Sequence, residues 1–201
     1  MKKLGIVEGF YGGSLNFHDR NSIVELLSKN SLNYYLYAPK EDPFLRNHLD
    51  LDPTPDWQSS FNDFVDLSGS HKVTIGVGLA PINKKHANEL NKKIELFMSL
   101  GVRNFSLLFD DIDQEFSLPE QLEIFNRTKS SFNNISLDFC PTVYCSELIN
   151  KDKNHQDYFD EFCSIFPKDE KFFWTGDEVI SKNINKECEK VLESFDKSNI
   201  C

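Results

Sequence analysis

The feature that most constrains this chain is the regular alternation of short apolar runs with longer amphipathic stretches. The runs are Leu4 to Val7, Tyr34 to Ala38, Val73 to Leu79, Phe105 to Phe109, Ile135 to Phe139 and Phe172 to Trp174. Runs such as Phe105-Ser-Leu-Leu-Phe109 carry little polar alternation, which predicts parallel strands buried on both faces. Between the runs, apolar residues recur at helical spacing. They are Ile23, Leu26 and Leu27, then Trp57, Phe61, Phe64 and Val65, then Leu90, Ile94, Phe97 and Met98. Leu118, Leu122 and Phe125 follow, then Tyr158, Phe159 and Phe162, and last Val191, Leu192 and Phe195. Ser117-x-x-Glu120 predicts a capping box with Pro119 in the first helical turn, and Gly101 a left-handed turn out of the third helix. Six strand–helix units in strict alternation predict an α/β fold with a parallel sheet. Two architectures fit, a doubly wound sheet and a (β/α)8 barrel. Glu8-Gly-Phe-Tyr-Gly-Gly13 lacks both the Lys-Ser/Thr of a phosphate loop and the Gly-x-Gly-x-x-Gly spacing. A barrel needs eight units, and this pattern counts to six.

No linker or low-complexity tract divides the 201 residues, so a single domain is expected. Lys and Arg number 22 against 32 Asp and Glu, a net charge of −10 that makes a poor general binder of nucleic acid or anionic membrane. No apolar run approaches the roughly 20 residues of a transmembrane helix, and Leu4 to Val7 is too short for a secretory signal. The five cysteines, Cys140, Cys145, Cys163, Cys188 and Cys201, are odd in number and crowded late in the chain. That set suits a reducing compartment rather than a disulfide framework, and the expectation is a soluble cytoplasmic protein. Cys140 and Cys145 have no second ligand pair to complete a zinc site.

The chemistry is expected at strand ends, where α/β proteins place their ligands. Leu107-Leu-Phe-Asp110-Asp111-Ile-Asp113 sets three carboxylates directly after a buried strand. Neighbouring acids in a partly desolvated site drive one to keep its proton, which yields the acid and base pair of general acid/base catalysis. An acidic turn capping backbone N–H groups is the plainer alternative, and a divalent-metal site on Asp110, Asp111 and Asp113 is the third. Lys40 ends the second run, Tyr144 follows the fifth within Cys140-Pro-Thr-Val-Tyr-Cys145, and Trp174 closes the sixth. Aromatics at such a mouth suit the apolar faces of sugar rings, although Trp174 reads better as packing.

Taken together and in order, Gly5-Ile-Val-Glu-Gly-Phe-Tyr-Gly12, Tyr37-Ala-Pro-Lys40, the Asp110 segment, the Cys140 segment and Phe173-Trp-Thr-Gly176 resemble glycoside hydrolase family 84. These are β-N-acetylglucosaminidases, including protein O-GlcNAcases and bacterial hyaluronidase-like toxins. The resemblance runs from about Gly5 to about Ile184 and implies a (β/α)8 barrel of TIM type. It implies retaining catalysis in which the substrate's own acetamido oxygen attacks the anomeric carbon and forms an oxazoline. On that resemblance Asp110 orients the acetamido group and Asp111 is the general acid and then base. Lys40 binds sugar hydroxyls, the Gly9 carbonyl touches the sugar and Tyr144 holds the acetamido group. No metal or cofactor is implied, and the partner is a glycan or glycoprotein bearing N-acetylglucosamine.

The chain departs from the family pattern at identifiable places. Gly13-Ser14-Leu15 stands where the family often has Arg-Pro-Trp, and Val143 where many members have Glu. No Trp-Asp-Asn…Asn-Asp stretch of a seventh strand follows, nor the Asn of an eighth. The expectation is therefore one catalytic-type domain over 1–201 lacking the last two βα units. A missing C-terminal segment on another chain, a remnant and self-association with a second copy all stay open. So do two rival functions, a non-catalytic N-acetylglucosamine-binding remnant and a metal-dependent barrel hydrolase.

Overall fold

The computed structural model describes residues 2–81, 87–110, 117–182 and 195. The strands are β1 (Gly5–Glu8), β2 (Tyr34–Tyr37), β3 (Thr74–Leu79), β4 (Asn104–Leu108) and β5 (Ser136–Cys140). The helices are α1 (Phe17–Lys29), α2 (Pro55–Ser70), α3 (Ala87–Ser99), α4 (Leu118–Ser131), α5 (Ser146–Ile149) and α6 (Lys153–Ile165). The strands form one sheet in the order β1-β2-β3-β4-β5, with β1, β2 and β3 paired in parallel. This is the α/β arrangement expected from the alternation. No helix among the described residues is long and apolar enough to cross a membrane.

The helix ends follow from their side chains. Asn16 accepts the Asp19 N–H at 2.9 Å to start α1, and Thr54 accepts the Trp57 N–H at 3.3 Å to start α2, with Pro55 in its first turn. Before α4 the Glu120 carboxylate accepts the Ser117 N–H at 2.9 Å, which is the reciprocal half of the expected capping box. Gly101 leaves α3 at φ +92°, the left-handed turn expected of it.

The chain divides into two compact units, residues 1–106 with 131–136, and residues 107–130 with 137–201. In the first unit, Tyr35, Phe61, Phe64, Phe97 and Phe105 are fully or almost fully buried. Phe61 lies at the centre of this cluster, stacked on Trp57 at 5.0 Å and edge-on to Phe97 at 5.2 Å and Tyr37 at 5.4 Å. A lysine shares the interior: Lys93 is 1% exposed and ties α3 to the loop before α2 by donating to the Leu51 carbonyl and to Asp52. The second unit packs Phe139, Phe162, Phe166, Phe172 and Phe195, five of the chain's 18 phenylalanines, ring against ring.

Three expectations need correction or completion. The run Phe172–Trp174 does not form a full strand. Phe172 makes a single parallel bridge to Phe139, after which the Thr175 N–H turns to the Tyr144 carbonyl at 2.9 Å. Among the described residues five strands are therefore formed, where six were expected. β1 is not buried on both faces either. It ends the strand order, and Leu4 and Val7 are 44% and 52% exposed. The last amphipathic stretch lies largely outside the described residues, although Phe195 is described and is buried against Phe162 and Phe172.

Candidate active site

In the first unit the ends of β1 and β2 bring Gly9 and Lys40 together. The Ala38 N–H donates to the Glu8 carbonyl at 3.2 Å, and the Lys40 N–H donates to the Phe10 carbonyl at 3.4 Å. Successive carbonyls of an extended chain point to opposite sides. With the carbonyls on either side of Gly9 engaged by the second strand's continuation, an extended chain turns that of Gly9 the other way. Lys40 itself is half-buried in the loop that follows β2.

Beneath these two residues lies a buried polar network that the sequence reading missed. Arg20, on α1, is 3% exposed and grips Glu8, which is 1% exposed, through Nε to Oε2 at 3.0 Å and Nη2 to Oε1 at 2.9 Å. The Tyr35 hydroxyl donates to the same Oε2 at 2.6 Å. The Arg20 guanidinium also lies over the rings of Tyr37, at 4.8 Å, and Phe17, at 5.2 Å. Tyr37 in turn donates its hydroxyl to Asp42, two residues beyond Lys40, and Asp42 caps the turn at Pro43–Leu45 by accepting the Phe44 N–H at 2.9 Å.

The electrostatics follow from burial and pairing. Burial alone would lower the Arg20 pKa, but the hydrogen bond to Glu8 and the surrounding negative groups leave it raised, so the guanidinium is charged at all working pH values. Burial and the adjoining carboxylates push both tyrosine hydroxyls far up, so Tyr35 and Tyr37 are neutral donors. Asp42 is raised by burial against the lowering effect of the Tyr37 hydroxyl and the Phe44 N–H.

The signal for Arg20 was present in the spacing. Arg20, Val24 and Leu27 recur at i, i+4 and i+7 and are the buried residues of α1. A charge in register with an apolar stripe demands a buried partner, and Glu8 is that partner.

In the second unit the Phe109 N–H donates to the Cys140 carbonyl at 2.9 Å, which sets the ends of β4 and β5 in step. Asp110 follows immediately, half-buried, with its Oδ1 shielded from solvent. Asp111 and Asp113 lie outside the described residues. Tyr144 is half-buried in the loop after β5, and its carbonyl accepts the Thr175 N–H at 2.9 Å. The neighbouring Ser146 N–H donates to the Gly176 carbonyl at 3.0 Å, so the Cys140 and Trp174 motifs are stitched to one another. Trp174 packs on Phe159 with ring centres 5.5 Å apart, the packing role expected of it. Burial raises the Cys145 thiol, which keeps it protonated near neutral pH. Among the described residues no group of three His, Cys, Asp or Glu side chains is placed to hold a metal ion.

Comparison with known proteins bears on the same motifs. A sequence description of the beta-N-acetylglucosaminidase family matches residues 4–200. The chain is 27% identical over 199 residues to the Protein O-GlcNAcase of Mus musculus, and equally to that of Rattus norvegicus. Each alignment takes in 90% of this chain and 22% of the relative, so the chain spans about a fifth of the length of these curated relatives. Among solved structures, CpGH84B superposes with a TM-score of 0.83 at 26% identity, over 94% of this chain and 37% of that one. A mutant of the Thermobaculum terrenum O-GlcNAc hydrolase gives a TM-score of 0.82 at 24% identity, over 96% of this chain and 45% of that one, a likeness of fold. Since the family match starts before β1 and continues past the last described helix, the chain belongs to the beta-N-acetylglucosaminidase family.

Proposed function

We propose that this chain is a glycoside hydrolase domain of TIM-barrel type that removes terminal β-linked N-acetylglucosamine with retention of configuration. The substrate's acetamido oxygen attacks the anomeric carbon as the glycosidic C–O bond breaks, giving an oxazoline. Asp110 accepts the acetamido N–H and stabilises the positive charge that develops there. Asp111 gives its proton to the leaving oxygen, then takes one from the water that opens the oxazoline. Lys40 and the Gly9 carbonyl hold sugar hydroxyls, and Tyr144 steadies the acetamido group. The relatives named as protein O-GlcNAcases favour a glycoprotein as the substrate.

The observation that carries this reading is the position of Asp110 in a chain matched to the family over almost its whole length. It stands directly beyond β4, half-buried, at a strand end held level with β5. An adjacent acid pair suits this chemistry because two consecutive residues cannot straddle both faces of a sugar. They need not do so when the substrate supplies the nucleophile.

Hydrolysis of a fluorogenic aryl N-acetyl-β-glucosaminide by the purified chain, beside its Asp110→Asn variant, tests the reading. Turnover that falls by about 10²-fold or more in the variant is expected. A folded chain that binds N-acetylglucosamine without turning over would place it instead as a binding remnant, and turnover indifferent to the substitution would remove Asp110 from the site.

A further inference from the structure

We infer that Arg20 is a positioning residue that locks the Gly9 backbone and the Lys40 loop into one rigid edge of the sugar site. The inference rests on the roles proposed above for Gly9 and Lys40, and Arg20 itself touches neither the substrate nor the reacting atoms.

Three observations converge on it. Glu8 is covalently next to Gly9, and the two guanidinium bonds to Glu8, with the Tyr35 hydroxyl, fix that side chain from two elements, α1 and β2. The Arg20 guanidinium lies over the Tyr37 ring, and Tyr37 reaches through Asp42 to the turn that begins just after Lys40. The two backbone bonds that flank Gly9 come from Ala38 and Lys40, so the segments fixed at each end of the network are hydrogen-bonded to one another. One cation therefore serves both loops, through its two bonds to Glu8 and through its place over the Tyr37 ring.

A charge this deeply buried is poor economy for stability alone. Desolvating a buried ion pair roughly offsets its attraction, and apolar replacements of similar volume are often no less stable. What the pair supplies is a single geometry: a bidentate guanidinium held over an aromatic ring admits few alternatives, and lysine cannot reproduce both contacts. Preorganised contacts to a substrate require such support.

Two variants test this, Arg20→Lys and Tyr37→Phe, each beside the wild-type chain. Backbone amide exchange reports the coupling directly, because the Ala38 and Lys40 amides are the donors beside Gly9. Arg20→Lys is expected to speed exchange at both by about tenfold, the equivalent of ~1.4 kcal/mol of local opening, while Val77 in β3 keeps its protection. Tyr37→Phe keeps the ring under the guanidinium and is expected to loosen the Lys40 and Phe44 amides alone.

With the aryl glycoside, Arg20→Lys should lower kcat/KM by up to about 10²-fold, chiefly through KM, since Gly9 and Lys40 bind ground and transition states alike. A folded Arg20→Lys variant with unchanged exchange at Ala38 and Lys40, or with faster exchange throughout the first unit, would overturn the inference. A wild-type chain that neither turns over nor shifts the Gly9 and Lys40 amides on titration with N-acetylglucosamine would overturn the proposed function instead. Loosening in the variant with an unaltered KM would overturn the positioning role while leaving the proposed function in place.

Discussion

The hydroxyl of Tyr158, on α6, donates to Oε1 of Gln121, on α4, at 2.7 Å and accepts the backbone N–H of Thr142 at 3.0 Å. Gln121 closes the ring by donating Nε2 to the Thr142 hydroxyl at 2.9 Å. Gln121 is fully buried, and burial raises the Tyr158 phenol against the opposing effect of its hydrogen bonds, so the ring is neutral throughout. It fixes Thr142 through both backbone and side chain, two residues before Tyr144. Tyr158→Phe leaves the Thr142 N–H and the Gln121 carbonyl oxygen short of a partner, a loss of roughly 1–3 kcal/mol. Denaturant titration should show that loss, and KM for the aryl glycoside should rise with it, because the Tyr144 loop loses its anchor. A destabilised variant with unaltered KM would confine the ring to a structural role.

Asp42 makes a prediction with a definite sign. Its folded pKa lies above the ordinary value of 3.8, chiefly through burial. Between those two values the folded chain holds the proton more tightly than the unfolded chain. The stability it contributes is complete below 3.8 and is lost as pH rises through the folded value. Asp42→Asn removes that component while its one amide oxygen still accepts the Phe44 N–H and its NH2 group donates to the Tyr37 hydroxyl oxygen. Denaturant midpoints taken at stepped pH should therefore show the variant gaining on the wild type as the medium passes from acid to neutral. A constant difference would mean that the carboxylate ionises as readily in the fold as in the unfolded chain.

How far the sequence could be read depends on which residues speak locally. Strands such as Phe105 to Phe109 announce themselves because four of the five positions are apolar and little polar alternation breaks the run, and α4 because Glu120 caps Ser117 within one turn. The third run was also placed well, since the branched residues Val73, Thr74, Ile75 and Val77 favour a strand despite Gly76. The sixth run misled because its aromatic content reports burial, whereas strand pairing depends on a neighbour, and among the described residues Phe172 makes a single bridge, to Phe139. The exposed face of β1 was equally hidden, since Leu4 and Val7 look the same in a covered strand and in one that ends the order. The places of Asp110 and Lys40 just beyond strands were legible, since each follows closely on an apolar run. Their buried neighbours were not, because Glu8 pairs with Arg20 and Gln121 with Tyr158 from separate elements, 12 and 37 residues apart. A charge or amide on an apolar stripe announces the need for a partner without naming it.

The same dependence on distant neighbours governs Gly5 and Gly76. A Cβ on Gly76 would stand 2.1 Å from the Tyr34 hydroxyl oxygen and 2.8 Å from Cζ, and one on Gly5 would stand 1.6 Å from the Tyr34 backbone carbonyl oxygen. Gly76→Ala must therefore displace a ring that is 7% exposed, at a cost of about 1–3 kcal/mol. Combining it with Tyr34→Leu should cost less than the sum of the two singles. Gly5→Ala has no such rescue, because its obstacle is main chain. Stability measured for the single and double variants separates the cases, and strict additivity of Gly76→Ala with Tyr34→Leu would contradict the contact.

Chelation separates the proposed reaction from a metal-dependent one on Asp110, Asp111 and Asp113. Substrate assistance draws its nucleophile from the acetamido group and its proton from Asp111, so turnover should survive prolonged dialysis against EDTA unchanged. Activity that collapses on chelation and returns with Mg²⁺ or Mn²⁺ would replace the oxazoline route with Lewis-acid activation of water.

The assignment of Asp111 is open to a sharper test, because an acid is needed only where the leaving group is poor. A nitrophenolate or umbelliferolate departs without a proton, whereas a serine alkoxide or sugar alkoxide does not. Asp111→Asn should therefore cost little in oxazoline formation from an activated aryl glycoside and about 10²- to 10⁴-fold with an alkyl glycoside or glycopeptide. With the aryl substrate the slow step then becomes opening of the oxazoline, which has lost its base, so product should appear in a burst followed by a slower steady rate. Added azide, a nucleophile that needs no general base, should speed that second phase and yield the β-glycosyl azide. Asp110→Asn should give neither burst nor azide rescue, because the group it orients acts before the oxazoline exists. Equal losses on both substrate classes, or azide rescue of Asp110→Asn rather than Asp111→Asn, would exchange or dissolve the two roles.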